Sequence, residues 1–111
     1  MRYRVSLADQ VCMLLRGSPV GKIKKELKKA EKHNLELDAT ALEAHHLAQG
    51  DITDLVDSLI FAQENGMKFT PMRAMANQFI LMQNGIKLKD KLNSLTGLGI
   101  TDLDIHLTKN L

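Results

Sequence analysis

The sequence predicts a mainly α fold: a compact bundle of about five helices with tandem helix-pair repeat character, followed by a short C-terminal strand. Three observations carry that expectation. Apolar residues recur at helical spacing through most of the chain, as in Ile23, Leu27 and Ala30, or Ile52, Leu55, Val56, Leu59 and Ile60. Between such stretches a layout of stop, apolar-x-apolar and cap returns: Asn34-Leu35-Glu36-Leu37-Asp38, then Asn65-Gly66-Met67-Lys68-Phe69-Thr70, then a looser Asn84-Gly85-Ile86-Lys87-Leu88. Aromatic residues are 4% of a chain that is 44% hydrophobic, so the core must come from Leu, Ile, Val, Ala and Met, which suits helix packing better than a sandwich. A chain of 111 residues is one domain or one module of a larger architecture. Residues 1–95 read as the helical module and 96–111 as a turn and strand-like tail.

The first helix opens at Ser6, an N-cap with Asp9 three residues on, and carries Leu7, Val11, Leu14 and Leu15 at helical spacing before Arg16 and Gly17 close it. Its amphipathic pattern predicts an ordinary helix packed on the core. Apolar residues flanked by Arg2, Arg4 and Arg16 are also the composition of a membrane-surface helix. Ser18 and Pro19 predict the start of the second helix, Ser at the N-cap and Pro at the first helical position. There Ile23, Leu27 and Ala30 share one stripe, and Lys24, Lys25, Lys28, Lys29 and Lys32 fall on the opposite side. Such a basic face suits anionic headgroups, nucleic-acid phosphates or an acidic partner, and is equally the pattern of a plain solvated face.

Asp38 predicts the N-cap of a third helix running from Ala39 to Gln49, with Leu42, one of His45 and His46, and Leu47 toward the core. Gly50 then supplies the left-handed residue that closes many helices, and Asp51 the N-cap of the fourth helix, Ile52 to Glu64. The fifth follows Thr70 and Pro71 and runs to Gln83. Thr96, Gly97, Leu98 and Gly99 look like a turn-rich break, after which residues 100–107 alternate, with Leu103, Ile105 and Leu107 on one face. A strand without a partner is a frayed tail, the start of something missing, or an edge that pairs across a dimer between Ile100 and Leu107.

Composition narrows the chemistry. One cysteine, Cys12, excludes an internal disulfide and fits a reducing compartment, hence a cytoplasmic setting. The longest fully apolar run, Val11 to Leu15, is far short of the ~20 residues that span a bilayer. A net charge of +2 does not by itself imply nucleic acid, and no aromatic is interleaved among the lysines to stack a base. His45 and His46 point about 100° apart on a helix, with no His-x-x-x-His and no cysteine pair to complete a metal site. Cys12 sits in an apolar run where a small buried thiol is expected. Asp51, Asp54 and Asp57 form an i, i+3, i+6 row that reads as a solvated acidic face. No catalytic constellation and no cofactor site emerge.

The stretch Leu42-Glu43-Ala44-His45-His46-Leu47-Ala48-Gln49-Gly50-Asp51, with Val5-Ser6-Leu7, Met13-Leu14-Leu15-Arg16, Pro19, residues 27–32, Leu35-Glu36-Leu37 and Ala62-Gln63, resembles the bacterial flotillin-like FloA proteins over roughly residues 4–93. Glu43, His45 and Gly50 match the family's motif, followed by Asp51, while His46 stands where a tyrosine is usual. The similar segment lies between the family's membrane hairpin and its SPFH-type domain. The resemblance implies a non-catalytic scaffold or interaction module that self-associates or docks on a membrane-associated assembly, peripheral at the inner membrane face, and it carries over no catalytic residue. The alternative expectation, from another class, is a small basic nucleic-acid-binding or regulatory helical protein acting through the five lysines of the second helix.

Overall fold

The first five helices end in the same way, and that ending organises the described chain. The structure, a computed structural model, describes residues 6–67 and 69–97. Among them run six helices: α1 (Leu7–Leu15), α2 (Val20–Lys32), α3 (Ala39–Leu47), α4 (Ile52–Glu64), α5 (Pro71–Gln83) and α6 (Leu88–Gly97), with no strand or bridge. The mainly α expectation holds. The strand predicted for residues 100–107 lies outside the described residues.

After each of α1 to α5 one residue turns left-handed: Gly17 (φ 75°), Asn34 (55°), Gln49 (75°), Gly66 (66°) and Gly85 (69°). The next amide then reaches back to the helix, from Ser18 to the Met13 carbonyl (2.8 Å), Leu35 to Ala30 (2.9 Å), Gly50 to His45 (2.8 Å), Met67 to Ala62 (2.8 Å) and Ile86 to Leu81 (3.0 Å). The left-handed residue's own amide bonds inside that loop in every case, as in Gly17 to Leu14 and Gln49 to His46. This is the Schellman ending, which satisfies carbonyls that a helix terminus otherwise leaves unpaired. The carbonyl-bearing residues Met13, Ala30, His45, Ala62 and Leu81 are all buried, so every corner is anchored on the core side of its helix.

Helix starts follow local sequence. Ser6 Oγ accepts from the Asp9 amide (3.1 Å), Asp38 Oδ1 from Ala41 (2.7 Å) and Thr70 Oγ1 from Arg73 (3.3 Å), the last with Pro71 at the helix entrance. The start of α2 departs from expectation: the helix begins at Val20, Pro19 occupies the cap without a side-chain bond, and the Ser18 hydroxyl is turned elsewhere. The helix α3 stops at Leu47, and Leu47 itself is exposed. A sixth helix stands beyond the five expected: Leu88, Leu92 and Leu95, at i, i+4 and i+7, are buried, and Thr96 and Gly97, expected in a turn, are still helical.

The chain divides into two units between Ile52 and Thr53. In the first, α2 packs on both α1 and α3, with Ile23, Leu27, Ala30, Leu37 and Leu42 in its core. In the second, α5 packs on α6, with Leu55, Val56, Leu59, Ala74, Leu81, Leu88 and Leu92 buried. Helix α1 packs on α2 but buries only Met13; Leu7, Val11, Leu14 and Leu15, which the pattern places toward the core, are exposed. The Cys12 thiol is exposed as well, because the inward side of this short helix is taken by Met13 alone.

Candidate functional site

The lysine-bearing face of α2 is real and unevenly available. Ile23, Leu27 and Ala30 are buried as their spacing requires, and Lys24, Lys25, Lys28 and Lys32 are exposed. Lys29 differs. It is half buried, and its ammonium lies 2.7 Å from Oε1 of Glu26, a carboxylate only 1% exposed, in an ion pair without hydrogen-bond alignment. A shallow open groove runs along this face, lined by Gly21 and the five lysines. The space at Gly21 is open, since a Cβ there would meet nothing within 4 Å.

A second constellation of the first unit centres on a buried carboxylate. Glu43 of α3, 6% exposed, accepts from Arg16 Nε (2.9 Å) and Nη2 (2.5 Å) and from the Ser18 hydroxyl (2.6 Å). This explains the missing cap on α2. A buried carboxylate needs a donor more than a solvent-exposed helix amide needs an acceptor, and the Ser18 hydroxyl points to Glu43 and donates to it. The Arg16 hydrogen bonds, and next the Ser18 bond, hold the Glu43 carboxyl below its ordinary range against the opposing effect of burial, and the same bond raises the Arg16 guanidinium. The cluster joins the end of α1 to α3. Sequence marked Glu43 through the family motif; its partners, 25 and 27 residues upstream, read there as a helix cap and a helix-closing arginine, with nothing to join them to Glu43.

His45 and Gly50 meet at the α3 corner. Sequence assigns the left-handed position to Gly50; the structure gives it to Gln49, and Gly50 is the following residue. Gly50 is needed for another reason: a Cβ there would overlap Nε2, Cδ2 and Cε1 of the His45 ring. At the other corners the corresponding residue carries a side chain, as in Leu35 and Ile86; here the imidazole, 4% exposed, fills the place that a Cβ would take. Asp51 follows directly, half buried, before Ile52 opens α4.

In the second unit Asp54 corrects the solvated-row expectation. Its Oδ2 accepts from the Leu88 amide (2.9 Å) and from Gln78 Nε2 (3.2 Å), and its Oδ1 from the Lys89 amide (3.2 Å). The carboxylate of α4 therefore caps the N-terminus of α6 from a neighbouring helix, where negative charge also meets the positive end of the helix dipole. Among the described residues no three His, Cys, Asp or Glu side chains stand together as metal ligands, and no helix is long and apolar enough to cross a membrane.

Among the described residues these features define a helical protein whose charged side chains fasten helix ends, and which exposes a lysine row and an aliphatic row. Comparison with known proteins places it further: residues 1–86 match the family described as Flotillin-like protein FloA, and the chain belongs to that family. It is 40% identical over 73 residues to the Flotillin-like protein FloA of Dictyoglomus turgidum, covering 65% of this chain and 22% of that protein. It is 41% identical over 59 residues to that of Listeria monocytogenes serotype 4b, covering 53% of this chain and 19% of the relative. The chain thus spans about a fifth of the length of these relatives. No solved structure matches it.

Proposed function

We propose that this chain is a non-catalytic helical module of a flotillin-like scaffold, self-associating or docking on a membrane-associated assembly, and that it meets anionic headgroups through Lys24, Lys25, Lys28, Lys29 and Lys32. The observation that supports the reading is the separation of chemistry on α2. One side is sealed into the core by Ile23, Leu27 and Ala30, and the other offers four exposed ammonium groups. Among the described residues those four make no ion pair, so their charge is free to act on a partner surface. Lysines near an anionic leaflet contribute about 1 kcal/mol each, and several together give useful, reversible attachment. Lys29 adds less, being held by Glu26. Glu43, His45, Gly50 and Asp51 act in this reading as structural residues that fix the α3 corner.

Co-sedimentation of the full chain with vesicles tests it. Binding to vesicles of phosphatidylglycerol and phosphatidylcholine, absent with phosphatidylcholine alone and lost on Lys24→Glu with Lys28→Glu, is the expected result. Equal binding to both vesicle types would remove the role given to the lysines. A salt-sensitive gel shift with nucleic acid and no vesicle binding would transfer the lysine face to the nucleic-acid alternative.

A further inference from the structure

We propose that α1 is itself a membrane-contacting element: Leu7, Val11, Leu14 and Leu15 enter the acyl boundary of the anionic bilayer whose headgroups the lysines of α2 engage. The inference rests on the proposed lysine contact and adds a second contact of different chemistry.

The exposure of this row is the starting observation. Leu7 is 77% exposed, Val11 48%, Leu14 66% and Leu15 82%. At ~100° per residue the four fall within an arc of roughly 100°. Met13, the buried residue of the helix, and Asp9, its one charged residue, both point away from that arc. A soluble surface tolerates single exposed leucines, but a contiguous aliphatic row on one helix marks a surface that something covers.

Charge and size argue for the occupant. In the same unit α1 packs on α2, whose lysines Lys24, Lys25, Lys28 and Lys32 are exposed. An aliphatic row and a cationic row carried by two packed helices of one unit are the two chemistries that an anionic bilayer complements, with hydrocarbon below and negative headgroups above. A second copy of the chain is the weaker fit. Four aliphatic side chains on a nine-residue helix fall well short of the roughly 800 Å² and 20–30 residues that each partner gives a stable interface.

Cys12, the one cysteine of the chain, is exposed on α1 beside the row and provides the readout. The full chain carrying a polarity-sensitive dye on Cys12 is mixed with vesicles of phosphatidylglycerol and phosphatidylcholine, with and without a lipid bearing a nitroxide on its acyl chain. Dye emission is expected to shift to the blue and to be quenched by the nitroxide. In unlabelled protein, Leu14→Asp with Leu15→Asp is expected to weaken vesicle binding on the order of a hundredfold, since each leucine withdrawn from hydrocarbon costs about tenfold or more. Both leucines are exposed, so an unchanged circular dichroism spectrum is expected; Leu7→Asp with Val11→Asp gives an independent version of the same test. If these variants bind like the parent and the dye stays unquenched while Lys24→Glu with Lys28→Glu still loses binding, the α1 inference fails and the lysine reading survives. If the parent chain binds no anionic vesicle, both fail. A dimer in light scattering that the leucine variants convert to monomer assigns the row to a second copy and overturns the inference.

Discussion

Arg16 and Glu43, 27 residues apart in sequence, meet side-on: Nε donates to Oε2 at 2.9 Å and Nη2 to Oε1 at 2.5 Å. The planar guanidinium fork matches the carboxylate in a way a lysine ammonium does not. Arg16 is the C-cap of α1 and Glu43 lies in α3, so this contact and the Ser18 bond beside it fix how three consecutive segments of the first unit meet. Ser18, whose hydroxyl donates to Glu43 at 2.6 Å, makes the link to test. Ser18→Ala removes a charge-assisted hydrogen bond on a buried carboxylate and is expected to lower stability by about 1.5–3 kcal/mol, read as a lower urea midpoint with unchanged slope.

The same cluster sets a pH dependence. The Glu43 carboxyl is held below its ordinary value of 4.5 by the Arg16 hydrogen bonds first and the Ser18 bond second. A group whose folded value is depressed stabilises the fold fully above its unfolded value, and that contribution is lost as pH falls through the folded value. Urea midpoints of the parent chain are therefore expected to fall as pH drops below about 4.5, and those of Glu43→Gln to fall less steeply across that window. Identical slopes in the two proteins would place the acid sensitivity elsewhere.

Asp54 gives a prediction with a local readout. Because its two oxygens accept the Leu88 and Lys89 amides, Asp54→Ala uncaps α6 without touching the helix itself. Loss of a cap of this kind costs about 0.5–2 kcal/mol. Hydrogen exchange at the Leu88 and Lys89 amides is expected to accelerate more than exchange in α5, whereas Asp54→Asn, which keeps one acceptor oxygen, gives a smaller effect.

What was legible in the sequence divides by distance along the chain. Ser6, Asp38 and Thr70 each cap a helix through an amide three residues away, and spacing alone found them. Asn34, Gly66 and Gly85 end helices by an intrinsic tolerance of left-handed backbone, which is also local. Asp54 acts on residues 34 and 35 positions downstream, and its place in an i, i+3, i+6 acidic row pointed to solvent instead. Ser18 has the sequence of a cap and lost that role to a carboxylate supplied from another helix. Likewise α1 carries the amphipathic spacing of a packed helix, but spacing gives only the apolar side, not whether a neighbour covers it.

The His45–Gly50 contact predicts a clash that one further change relieves. Gly50→Ala places a methyl group against an imidazole that is 4% exposed and has little room to turn, and overpacking of this sort costs about 1–3 kcal/mol. In His45→Ala the obstructing ring is absent, so the added methyl is expected to cost much less there. A double-mutant cycle by urea unfolding should then show a favourable coupling between the two changes. Additivity would mean that the glycine is required by the backbone and not by the ring.

Gln49 offers the opposite sign. It holds φ at 75° as the left-handed residue of the α3 corner, where α1, α4 and α5 use Gly17, Gly66 and Gly85. A side chain with a Cβ in that region crowds its own carbonyl, at a cost of roughly 1–2 kcal/mol. Gly50, the adjacent glycine, cannot take over, because the corner needs it one position later against His45. Gln49→Gly therefore removes the strain and keeps both Schellman bonds, though the added freedom of the unfolded chain offsets part of the gain. The net expectation is a stabilisation of about 0.5–1 kcal/mol, seen as a higher urea midpoint. The control is Gly66→Ala, which puts a Cβ where φ is 66° and nothing crowds the site in space. It should destabilise by a similar amount, since backbone conformation alone distinguishes the two changes.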